Sequence, residues 1–304
     1  MLFQHTIDGW DSWGQVHHDL DAWQPLVAHI LVREGFPAAE VALLPPGTNA
    51  VLSAGDVVVK IFAPEESRKE NPTYSESKYR AELFGLRHAA GVGVRAPRLL
   101  AAGEVADAYR FRYLVMERIA GEPFKEAEKR WNDAQKLQIG RQLRAMANAL
   151  NIPCADFGAP DVAVQARTSR QWADFPDSFQ RERLAYLDTL PAKEQVYVHG
   201  DMHPGNLMVA AGGQPVLLDF ADSVIAATDY EWAMLVYLEF AKPYMEGFCG
   251  AGFDTEEVAD KCLRGLLVHP YWGWDVPRQF GPAADLTELD VLRQRICKKI
   301  NDNR

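Results

Sequence analysis

No run of about 18 apolar residues, the length a helix needs to cross a bilayer, occurs in the chain, so no membrane span is expected. Cysteine is scarce. Cys154, Cys249, Cys262 and Cys297 stand far apart with no Cys-x-x-Cys pair, which argues against a zinc centre and a disulfide framework and fits a reducing cytoplasm. Positive charge is in deficit, with 32 Lys and Arg against 42 Asp and Glu, a net charge of −10. Neutralising nucleic-acid phosphates takes a basic face, so nucleic acid is not an expected partner. A cationic small substrate suits an acidic protein, and so does plain solubility. Met1 to Asp21 is acidic and lacks a basic segment followed by an apolar one, so no secretory leader is expected. There is no internal repeat and no low-complexity tract.

What is present is an ordinary globular balance, 48% hydrophobic and 24% charged over 304 residues, enough for two domains with a substantial core. Trp13, Val16, Leu20, Trp23, Val27 and Ile30 recur at helical spacing over residues 11–34, with Pro25 expected to break the helix and Gly35 to end it. Strands are expected at 41–44, 50–52, 57–62, 98–100 and 113–116, with a helix over 76–90. Beyond Gly121 the pattern turns helical, over 125–150, 169–189, 227–242, 254–267 and 285–299, with short strands near 196–198, 207–209 and 216–219. The expected class is α+β: residues 1–117 form a lobe with a small antiparallel sheet, and residues 118–304 a mainly helical lobe.

The densest chemistry lies in His199-Gly200-Asp201-Met202-His203-Pro204-Gly205-Asn206, followed by Leu217-Leu218-Asp219-Phe220. Asp201 follows the β-branched strand Val196-Tyr197-Val198, on a turn of the kind that carries functional residues. Phosphoryl transfer from a nucleotide needs a carboxylate to orient or deprotonate the attacking hydroxyl, plus an Asn and a second carboxylate for the metal. Asp201 fits the first role, and Asn206 and Asp219 the second, with oxygen ligands that suit Mg²⁺. Asp222 reads as a loop cap or a further ligand, His199 as structural and His203 as support for Asp201. Lys60 interrupts an apolar strand and is expected to neutralise nucleotide phosphates, paired with a helical carboxylate, Glu82 or else Glu76. Backbone N–H groups of Gly47, Thr48 and Asn49 suit a phosphate-covering loop, and backbone groups of Met116, Glu117 and Ile119 an adenine edge.

These motifs resemble the aminoglycoside phosphotransferase and choline kinase-like family, whose fold is that of the protein kinases. The resemblance spans roughly residues 40–245 and is strongest at HGDMHPGN and LLDF. It implies a two-lobed kinase using ATP or GTP with Mg²⁺. It implies Asp201 as catalytic base, Asn206 and Asp219 as metal ligands, and Lys60 paired with Glu82. The family's Gly-Asp-Pro turn is replaced by Ala227-Thr228-Asp229-Tyr230-Glu231-Trp232, so no catalytic role passes to Asp229 or Glu231.

The expected acceptor is a small-molecule hydroxyl on an aminoglycoside or amino-sugar, with choline-like amino alcohols and neutral sugars as alternatives. Asp229, Glu231, Asp254, Glu256 and Glu257 offer carboxylates to a cationic acceptor, and Tyr271, Trp272 and Trp274 offer rings to stack on a sugar or cage an amine. A nucleotide-binding pseudoenzyme is the alternative of another class. The expected state is a cytoplasmic monomer or homodimer.

Overall fold

A computed structural model describes residues 1–45, 47–71, 73–190, 194–236, 241–269 and 272–302. The chain divides into two compact units, Met1–Gly91 with Arg95–Ala120, and Val92–Val94 with Gly121–Arg304. The division falls after Ala120.

The first unit opens with α1 (Trp10–Val16) and α2 (Leu20–Arg33). The break lies at His17-His18-Asp19, and Pro25 sits inside α2, against expectation. Asp19 supplies the reason, because its side chain accepts from Asp21 N and starts a new helix. The buried face of Ala22, Trp23, Leu26, Val27, Ile30 and Leu31 then holds that helix across the proline.

Strands β1 (Val41–Leu43), β2 (Ala50–Ala54) and β3 (Val57–Ile61) lead to α3 (Tyr74–Val92), and β4 (Leu99–Ala106) and β5 (Arg110–Glu117) follow. The last two are longer than their apolar cores suggested. They form one antiparallel sheet in the order β1-β2-β3-β5-β4. Side chains alternate along a strand. Val57, Val59 and Ile61 of β3 therefore join Trp13, Trp23 and Phe111 in one apolar cluster. Lys60 lies on the other face, towards α3.

The second unit contains β6 (Gly121–Pro123), α4 (Phe124–Ala127), α5 (Asp133–Leu150), α6 (Val162–Thr168), α7 (Asp177–Thr189), β7 (Val196–Val198), β8 (Leu207–Ala210), β9 (Pro215–Leu217) and β10 (Val224–Ala226). Helices α8 (Asp229–Trp232), α9 (Lys242–Cys249), α10 (Thr255–Val268), α11 (Val276–Phe280) and α12 (Leu289–Asp302) complete it. The expected helix over 125–150 is interrupted at Trp131-Asn132, where Asn132 caps α5. The one over 169–189 begins only at Asp177, behind Pro176, and α6 precedes it. The one over 227–242 is a short α8 running into a tighter 3-10 turn at Ala233–Val236, with 237–240 outside the described residues. Among the described residues no helix is long and apolar enough to cross a membrane, and all four cysteines are free thiols.

Helices α5 and α9 cross at a pair of glycines. A Cβ on Gly140 would lie 3.0 Å from Gly247 Cα, and one on Gly247 would lie 2.9 Å from Gly140 Cα and against the Leu137 carbonyl. The neighbours are backbone and cannot swing aside. Gly247→Leu is therefore expected to lower stability by about 1–3 kcal/mol or more, read as a lower urea midpoint at an unchanged slope.

Arg183 on α7 is buried. Its guanidinium stacks on Trp172 and donates to Ala166 O and to Leu267 O, the latter at 3.0 Å. Both carbonyls lie in the last turns of helices, α6 and α10, where partial negative charge gathers. Burial pushes this guanidinium down to about 10.

Candidate functional site

In the first unit Lys60 sits mid-sheet, opposite Val51 on β2 and Leu114 on β5. It is 4% exposed and its Nζ lies 2.8 Å from Glu82 Oε2 on α3. A lysine taken this far from water needs such a partner. Glu76 is engaged elsewhere, with Arg80 at 2.5 Å and Arg112 at 3.5 Å. Gly47 and Thr48 are exposed, whereas Asn49 is buried and its Oδ1 accepts from Ala63 N at 3.3 Å. In the linker, Glu117 N donates to Arg98 O and Arg118 N to Asp56 O, so these two N–H groups serve the first unit's own fold. Met116 is buried in β5 between Val58 and Leu99.

In the second unit the motif folds around two small sheets, one of two strands and one of three. β7 pairs with β10, and β8 pairs with both β6 and β9. Asp201 leaves β7, Asn206 ends the 3-10 turn Pro204–Asn206 ahead of β8, and Asp219 follows β9. Asn206 Nδ2 donates to Asp201 Oδ2 at 2.7 Å and to Asp201 O at 2.9 Å. Leu218 N donates to Asn206 O at 2.8 Å, which fixes the residue before Asp219 to the same turn. His203 Nδ1 accepts from Gly205 N at 2.9 Å, and its Nε2 lies 3.5 Å from Asp201 Oδ2. Asp219 has φ +56°, alone among the described non-glycine residues in the left-handed region. Aspartate tolerates that region better than most residues, and strain of this kind gathers at functional sites.

His199 is fully buried. Its Nδ1 accepts from Asp201 N at 3.2 Å, so the proton sits on Nε2, which donates to Leu218 O at 3.0 Å. One imidazole thus joins the Asp201 and Asp219 segments. Burial holds its pKa below the ordinary value, against the pull of the Asp201 and Asp219 charges. Gly200 is needed twice over. Its φ is +80°, and a Cβ there would stand 2.5 Å from Asp222 O.

Glu231, expected to offer a carboxylate to the acceptor, lies against the start of the motif loop. It is 2% exposed and accepts from the N–H groups of His199 and Gly200, so it holds the start of the loop from beneath. Burial raises its carboxyl to about 7, opposed by those backbone bonds. Asp229 is buried in an ion pair with Arg264, 2.7 Å away. His269, which the spacing did not single out, donates from Nε2 to the Gly200 carbonyl oxygen at 2.8 Å.

The other acids also have local roles. Asp254 caps α10, Glu256 meets Arg293 at 2.7 Å and Glu257 meets Lys261 at 2.5 Å. Trp274 is 64% exposed. Tyr271 and the Trp272 side chain lie outside the described residues. A cavity of about 330 Å³ opens among α6, α7 and α10, lined in part by Asp229 and Arg264. Asp201, Asn206 and Asp219 do not line it.

Asn206 turns its amide nitrogen to Asp201, which leaves its amide oxygen for a cation, and Asp219 supplies a carboxylate. Among the described residues no three His, Cys, Asp or Glu side chains converge on a metal position. Mg²⁺ needs none, since it is held by one or two protein oxygens plus waters and substrate phosphates. The donor set fits that ion.

A family model described as the phosphotransferase enzyme family matches residues 50–262. Among solved structures, the GDP and kanamycin complex of APH(2")-IIia is 15% identical with a TM-score of 0.59, covering 92% of this chain and 99% of its own. A thermostable mutant of APH(4)-Ia, in a ternary complex with ADP and hygromycin B, is 13% identical at a TM-score of 0.51, covering 90% and 97%. A choline/ethanolamine kinase family protein from Mesorhizobium loti is 15% identical at 0.52, covering 87% of each. Likeness at these identities speaks for the fold.

Proposed function

The chain belongs to the phosphotransferase enzyme family, as a kinase of two-lobed α+β fold, and from that premise we propose that it moves the γ-phosphoryl group of ATP or GTP to a hydroxyl of an aminoglycoside or related amino-sugar. The observation that carries this reading is the turn at 201–206, where Asn206 fixes the Asp201 carboxylate at 2.7 Å and Leu218 N ties Asp219 to the same turn.

Asp201 takes the proton of the acceptor hydroxyl as its oxygen bonds to the γ-phosphorus. The bond from that phosphorus to the bridging oxygen breaks, and the nucleoside diphosphate leaves with the electron pair. Asn206 and Asp219 would hold Mg²⁺, which supplies charge neutralisation on the donor's phosphates. Lys60, held by Glu82, is a fixed positive charge of the kind that neutralises nucleotide phosphates. The loop at 47–49 covers them with main-chain N–H groups. Little covalent work falls to the protein, so positioning and charge account for the rate.

Trp274, an exposed indole beside the 269–273 segment, favours a second reading in which the acceptor is a choline-like quaternary amine. Diphosphate release measured with ATP or GTP against aminoglycosides, simple amino-sugars, choline and neutral sugars separates the two. Acceptor-stimulated turnover is expected with an amine-bearing carbohydrate. Stimulation by choline alone selects the second reading. A rate that no acceptor changes, with nucleotide still bound, replaces both with a binding module.

A further inference from the structure

Residues 1–49 lie outside the family match, which begins at residue 50. Yet this segment reaches the loop between β1 and β2 with two side chains. Trp13 on α1 is fully buried, and its indole Nε1 donates to Thr48 O at 2.9 Å. His17, just past the end of α1, has Nε2 3.1 Å from Gly47 O and Nδ1 3.1 Å from Trp13 O. Both partners of the ring are carbonyl oxygens, so the neutral ring donates to one of them and the imidazolium to both. The two rings stack, with centroids 5.5 Å apart and planes 15° from parallel. Trp23, set edge-on against Trp13, anchors the pair by donating from its own Nε1 to Val16 O at 2.9 Å.

Two successive carbonyls of one loop are therefore drawn to one side. Along an extended strand successive carbonyls point to opposite sides, so this pairing requires a bent backbone, and the chain is bent at Thr48 and Asn49. The described peptide bonds are all trans. Across a trans peptide the C=O of one residue and the N–H of the next point in opposite directions. Holding Gly47 O and Thr48 O against α1 thus turns the N–H groups of Thr48 and Asn49 away from it. Consecutive N–H groups facing one way make an anion-binding concavity. Gly47 and Thr48 are exposed, and nothing lies within 4 Å of a Cβ built on Gly47.

We propose that Trp13 and His17 are positioning residues for the nucleotide donor, fixing the 47–49 loop so that its main-chain N–H groups meet the donor's phosphates. This rests on the reading of that loop given under the proposed function. It assigns to α1 a part in donor binding that neither the family match nor the motif at 199–219 contains.

The test compares Trp13→Phe, which keeps most of the ring volume and removes the donor, with His17→Gln, which keeps an N–H donor at similar reach and removes the stacked ring. Steady-state constants for nucleotide and acceptor are measured on the full chain, with melting temperature alongside and Lys60→Ala as the reference for lost donor binding. Each substitution is expected to raise the nucleotide KM by about threefold to tenfold, with acceptor KM and kcat held within about twofold and His17→Gln milder than Trp13→Phe. A lower melting temperature with unchanged nucleotide KM assigns both side chains to packing and overturns the proposal. So does an equal rise in both KM values. If Lys60→Ala also leaves nucleotide KM unchanged, the donor reading itself falls. If Lys60→Ala raises it and the other two do not, only the role of Trp13 and His17 falls.

Discussion

Asp201→Ala is expected to lower kcat by about 10²–10⁴-fold while the nucleotide dissociation constant stays within a few-fold. The expectation follows from how the turn is built. Asn206 Nδ2 donates to the Asp201 main-chain carbonyl as well as to its carboxylate, so the loop keeps one of these two bonds when the side chain is removed. The His199 bond to Asp201 N is also main-chain and survives. The substitution therefore removes a carboxylate with little loss of scaffold, and the deficit falls on the proton's destination. Single-turnover rates with acceptor, set beside equilibrium titration of a non-hydrolysable nucleotide, check it. A variant that turns over at more than a tenth of the parent rate would remove Asp201 from the base role.

Glu231→Gln is expected to flatten the dependence of stability on pH between about 4.5 and 7. In the native protein burial lifts the carboxyl from its ordinary 4.5 to about 7. A carboxyl raised on folding binds its proton more tightly in the native state. Its contribution is complete below 4.5 and is lost as pH rises through about 7. The full swing is about 3 kcal/mol. Glutamine keeps an oxygen to receive the His199 and Gly200 N–H groups and has nothing to titrate. Urea midpoints taken at intervals across that window should slope downward in the parent and run level in the variant. Parallel slopes would place the titration elsewhere.

The motif residues were legible because polar side chains at fixed spacing on a Gly- and Pro-rich turn have few structural uses in that combination. Lys60 was legible as the one charge in an apolar strand, and the structure gives it Glu82. The internal place of Glu231 was not legible because its neighbours point both ways. Acids are common on helix surfaces, and only its place between Tyr230 and Trp232, in a stretch buried through Val236, marks it as internal. His269 carried no comparable signal, since its bond to Gly200 spans 69 residues and depends on where α10 ends.

The main sheet followed from alternation and turn residues. The helix boundaries did not, because they were set by caps, at Asp19, Asn132 and behind Pro176, which compete with apolar periodicity and outweigh it locally. Strand β10 is three residues long and exists only as the partner of β7, so no local pattern announced it.

Arg183 has a consequence for how the second unit comes apart. Its guanidinium closes the ends of α6 and α10 together, so fraying either end strips a hydrogen bond from a buried cation that the other end must then satisfy alone. The last turns of these two helices therefore open as one cooperative step and share a single free energy of amide exchange, although they lie some hundred residues apart in the chain.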